Sequence, residues 1–93
     1  MLVAMERFDL RIPGCGSLKE KRHVVKTLTN QIRSTFNVSV AEVDDMDLWR
    51  RATVGVACVA NDGAFVNRVL DKVLDHFERD SRAEVGEVEL EML

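Results

Sequence analysis

The residues best suited to chemistry in this chain are cations. "SLKEKR" (17–22) crowds Lys19, Lys21 and Arg22 into the opening of a helical pattern, and Lys26 follows one turn later. A second group, "DLWRR", sets Trp49 beside Arg50 and Arg51. Ammonium and guanidinium groups bind phosphates, and an indole ring stacks on a base or ribose, so together the residues have the makings of a nucleic-acid contact. Their position is electrostatically odd. The start of a helix already presents a partial positive charge, which makes added cations mildly unfavourable there. An anion such as a phosphate, held by the first helical amides and the "GCG" turn (14–16), would remove the oddity. The plainer account is that Lys21 snorkels, that Lys19, Arg22, Lys26 and Arg33 form a solvated stripe partly paired with Asp44, Asp45 and Asp47, and that Trp49 covers one end of the core. From spacing alone the plainer account has the stronger claim, because charged helix stripes are common.

No other constellation points to chemistry. There is no GxSxG, no phosphate-cradling glycine loop with its lysine, and no HExxH. His23 and His76 stand far apart, without a carboxylate or cysteine at ligand spacing. Asp44, Asp45 and Asp47 lack the glycine and distal glutamate of a calcium loop. Nothing assembles a nucleophile, a base and an orienting group. The expectation is a protein that is not an enzyme and holds no metal or cofactor.

The elements that must position the cations follow from hydrophobic spacing. "LVAMERFDLRI" (2–12) alternates as a half-buried strand ended by "PGCG". Ser17 and Glu20 form a capping box, and Leu18, Val24, Val25, Leu28, Ile32 and Phe36 make one stripe of a helix of about 18 residues. "FNVSVAEV" (36–43) and "LWRRATVGVACVA" (48–60) are strands flanking the acidic turn "DDMD". "ND" (61–62) caps a second helix with Phe65, Val66, Val69, Leu70, Val73 and Phe77 on its buried stripe. "RAEVGEVELEML" closes the chain as a strand with Val88, Leu90 and Met92 toward the core and Glu87, Glu89 and Glu91 away from it.

Strand-helix-strand-strand-helix-strand with right-handed crossovers predicts an α+β, ferredoxin-like βαββαβ fold, a four-stranded antiparallel sheet with both helices on one face. The last strand would lie beside the first, with Arg7 and Arg11 facing the glutamate row. The first helix and the hairpin turn would share one edge, which brings the two basic groups together.

Ninety-three residues suit one small domain over 1–93. At 46% hydrophobic and 31% charged residues, the chain can bury enough surface to fold. A net charge of −3 argues against coating nucleic acid or anionic membrane with the whole surface, but residues 1–51 hold nine Lys/Arg against seven Asp/Glu, so a local basic patch survives. Cys15 and Cys58 read as reduced thiols. The N-terminal apolar run is too short for a signal peptide and is broken by Glu6 and Arg7, so the expected location is the cytoplasm, with no membrane partner.

"LRIPGCGSLKEKRHVVKTL" (10–28), "FNVSVAEVDDMDLWRRATVGVACV" (36–59) and "DKVLDHFE" (71–78) together resemble the YlxP-like family of small bacterial proteins, a domain of unknown function. The resemblance spans nearly the whole chain. Glu6 stands where an apolar residue is usual, and Gly16 where a polar one often follows the cysteine. The resemblance implies a ferredoxin-like fold. It also implies a gene often neighbouring those for translation initiation factor two and a ribosome-binding factor, hence ribosomal RNA or a ribosomal subunit as partner. It implies no catalytic residue. The functional expectation is an RNA- or ribosome-associated binding module using Lys19, Lys21, Arg22, Lys26, Trp49, Arg50 and Arg51. The open sheet face has no aromatic at its centre, so RNA would have to use the helix-and-hairpin edge. The alternative is a homodimer or other homo-oligomeric protein-interaction module without nucleic-acid binding.

Overall fold

A computed structural model describes all residues, 1–93. Its elements run β1 (Leu2–Arg11), α1 (Leu18–Thr35), β2 (Ser39–Asp44), β3 (Arg51–Ala60), α2 (Gly63–Arg79) and β4 (Glu84–Met92). The strands form one antiparallel sheet in the order β2-β3-β1-β4, with β1 paired to both β3 and β4. This is the ferredoxin-like α+β arrangement that the element order predicts.

Both helices start where the capping residues place them. Ser17 accepts from the Glu20 amide at 3.1 Å, and Asp62 accepts from the Ala64 amide at 3.0 Å. Glu20 completes its half of the box one residue early, accepting from the Gly16 amide at 2.7 Å rather than from that of Ser17. Strand β2 begins later than its alternation suggests, because Phe36 and Val38 close α1: the Phe36 amide donates to Ile32 O and the Val38 amide to Phe36 O. Strand β3 also begins later. Leu48, Trp49 and Arg50 belong to the hairpin turn, where the Leu48 amide donates to Asp45 O.

One core of 18 buried side chains lies between sheet and helices, centred on Phe8 and Phe77, whose tilted rings are 4.9 Å apart. Cys15 and Cys58 are both buried, free thiols. Two expected core assignments change. Phe65 is exposed at the start of α2. Val88, Leu90 and Met92 lie on the helix side of the sheet, opposite Phe8, Glu6 and Ala4, yet all three remain exposed on the edge strand. No helix is long and apolar enough to cross a membrane.

Candidate nucleic-acid interface

Lys21 lies at the centre of the basic edge but is not on its surface. It is fully buried, and its ammonium lies 2.7 Å from Glu42 Oε2 while donating to Asp45 O at 2.6 Å and Met46 O at 3.1 Å. The Glu42 contact lies off the hydrogen-bond direction, so it is an ion pair rather than an aligned hydrogen bond. Three acceptors converge on one cation, which is how a lysine becomes tolerable in a core. Lys21 is therefore removed from the expected phosphate-binding set, and it does not snorkel either. It clamps α1 to the hairpin turn.

The turn itself is built to receive that clamp. Asp45 takes a left-handed backbone conformation, φ 60°, which a short polar side chain tolerates better than most. Its carboxylate accepts from the Thr53 hydroxyl at 2.9 Å, and its carbonyl faces Lys21. Asp44 accepts from the Asp45 amide at 2.8 Å and lies 3.8 Å from Arg7. Asp44 and Asp45 thus pair within the sheet and turn rather than with the α1 stripe. No three His, Cys, Asp or Glu side chains gather as a metal-binding group.

Arg51 is paired as well. It lies on the open sheet face, in a two-point contact with Asp9 at 2.9 and 3.2 Å, which raises its guanidinium pKa further. The pairing engages two of its three nitrogens while the side chain stays half-exposed. Arg50 stays at the edge. Its Nε donates to Cys15 O at 3.2 Å, which ties the turn to the segment before α1 and leaves its terminal nitrogens unpaired.

Lys19, Arg22 and Lys26 are exposed on α1 and take part in no ion pair. Arg33, the far end of the same stripe, is fixed by Asn30 Oδ1 at 2.8 Å and Val40 O at 2.9 Å. Trp49 is 53% exposed, so it does not cover the core. Met46 and Leu48 beside it are exposed as well. Neither was singled out from sequence, although "MDLW" puts three large apolar residues within a turn of four. Near the start of α1, the Gly16 amide is already taken by Glu20 Oε2 and the Glu20 amide by Ser17 Oγ, so neither is open to an anion. What remains exposed is a turn that carries Met46, Leu48, Trp49 and the Arg50 fork, and a helix, clamped to that turn by Lys21, that carries the unpaired cations Lys19, Arg22 and Lys26.

A single four-stranded antiparallel sheet with two helices on one face and a basic helix clamped to its hairpin turn defines a small ferredoxin-like α+β domain. More particularly, the chain belongs to the family described as "Protein of unknown function (DUF503)", whose profile matches residues 3–90. It is 39% identical over 73 residues, 78% of this chain and 79% of the relative, to a Bacillus subtilis (strain 168) protein named "Uncharacterized protein YlxP". It also resembles the "De novo designed protein Foldit4", with a TM-score of 0.55 and 16% identity, over 100% of this chain and 97% of the other. That likeness is one of fold alone.

Proposed function

We propose that this chain is a non-enzymatic, cytoplasmic binding module that associates with ribosomal RNA or a ribosomal subunit through the α1–hairpin edge. The observation that supports it best is the Lys21 clamp. By holding Asp45 and Met46 against α1, it fixes the turn that carries the exposed Trp49 to the helix that carries the unpaired Lys19, Arg22 and Lys26. A preformed surface loses little entropy on binding. Cations supply the sequence-independent attraction to phosphates, and the indole supplies stacking.

The test is titration of rRNA fragments at increasing salt. Three or four neutralised phosphates give a slope of log K against log[salt] of about −2 to −3 for single strands. Lys19→Ala with Arg22→Ala is expected to flatten that slope by about 1.4. Trp49→Ala is expected to weaken binding by about 1–3 kcal/mol with little change in slope. Absence of binding at about 50 mM salt, where phosphate contacts are strongest, would overturn the reading.

A further inference from the structure

The edge of the sheet opposite the hairpin turn has its own, contrary chemistry. β4 is an edge strand of nine residues whose outer backbone groups pair with nothing. From Val88 to Met92 its pairing with β1 is regular, which leaves a straight edge. On the helix side Val88, Leu90 and Met92 are 36%, 51% and 46% exposed. On the open side Glu87, Glu89 and Glu91 stand in a row with no ion pair. Arg7, directly opposite Glu89 in the register, leans the other way to Asp44.

Long exposed edges with an apolar side are liabilities that folded proteins blunt or use. A second copy is a poor occupant. Any two-fold normal to the sheet that pairs β4 with its twin sets glutamates against glutamates, and like charges directly opposite are destabilising. The complementary occupant is an extended segment whose residues alternate cationic and apolar. Its cations would face Glu87, Glu89 and Glu91, its apolar side chains would cover Val88, Leu90 and Met92, and its backbone would satisfy the edge.

We propose that β4 is a β-augmentation site for an extended segment of a partner protein that alternates basic and apolar residues. The site lies at the far edge of the sheet and does not depend on the RNA reading.

The probe is the peptide Lys-Val-Lys-Val-Lys-Val-Lys with blocked ends, titrated into the full chain and followed by backbone amide shifts and hydrogen exchange. Shifts are expected to centre on 87–92, with slowed exchange of outward β4 amides. A glutamate-for-lysine peptide of the same pattern, and a peptide with its lysines and valines in separate blocks, are expected not to bind. Leu90→Asp should weaken binding by about tenfold, as loss of a central apolar anchor does. Replacing Glu87, Glu89 and Glu91 with Lys should reverse the preference toward the glutamate peptide. In the unaltered chain, shifts that centre elsewhere, equal binding of the blocked-pattern peptide, or dimerisation through β4 would each overturn the proposal. These readouts need no variant to fold.

Discussion

Removing the Lys21 ammonium would leave one carboxylate and two carbonyls facing its site without a donor. Lys21→Met keeps the stem and the volume, so packing loss is small and the unpaired Glu42 dominates. The expected cost is about 3 kcal/mol, read as a lower midpoint in urea with an unchanged slope. Adding Glu42→Leu is expected to recover much of it, because an apolar pair often replaces a buried ion pair at little cost. A silent Lys21→Met would show that the clamp is not formed. Glu6 is the opposite case, an inward carboxylate with no ion-pair partner. Burial first, and Asp71 nearby second, push its pKa above the ordinary 4.5. The native state therefore holds this proton more tightly than the unfolded chain. The stability this confers is full below 4.5 and is lost as pH rises through the folded value. Glu6→Gln is expected to raise the melting temperature at neutral pH by a few degrees, since 1 kcal/mol moves a domain of this size by about 4–8 °C, and to have no effect well below pH 4.5.

At the scale of elements, α1 depends on its cap and β4 on its bulge. Ser17→Ala is expected to cost about 1 kcal/mol in thermal unfolding, since the Glu20 amide loses its acceptor, and Ser17→Asp to be near neutral. Gly86 sits where the β1–β4 register shifts, between Phe8 and Leu10. A Cβ there would lie 2.9 Å from Asp9 Oδ2, which is also held by Arg51. Gly86→Ala is expected to displace Asp9 and cost about 1 kcal/mol in the same assay, with the Asp9–Arg51 contact weakened. The cap was legible, because Ser17 and Glu20 stand at the spacing the box requires. The bulge was not. Alternation in "EVGEVELEM" reads as an unbroken strand, and only the position of β1 decides where an extra residue must be absorbed.

Across the whole molecule, charge is divided between the two edges of one sheet. α1 and Arg50 carry unpaired cations on the β2 side, around an acidic turn, while the unpaired glutamates make the β4 edge acidic. Four strands spaced about 4.8 Å apart separate the edges, more than a Debye length at 0.1 M salt. An rRNA fragment and the lysine-valine peptide are therefore expected to bind together, each leaving the other's affinity within about twofold at that salt. Mutual displacement in a competition titration would place both on one surface.

By itself, the sequence determined the element types, their order and the caps, because periodicity and capping depend on residues a few positions apart. It also contained the clamp in unresolved form. Lys21 stands on the apolar stripe of its helix, and Glu42 on the inward side of its strand after Val40. Each alone reads as a snorkelling or misplaced charge. Their pairing is decided when β2 is laid against α1, because a buried charge is stable only with a partner that spacing cannot name. The same limit explains Arg51, which local pattern groups with Trp49 and Arg50 until the sheet brings Asp9 across from the neighbouring strand. It explains Trp49 as well, since exposure depends on which helix face covers which strands. Val88, Leu90 and Met92, patterned for a core, stay exposed on the edge strand, because only the packing of helices against the sheet decides which inward positions are covered.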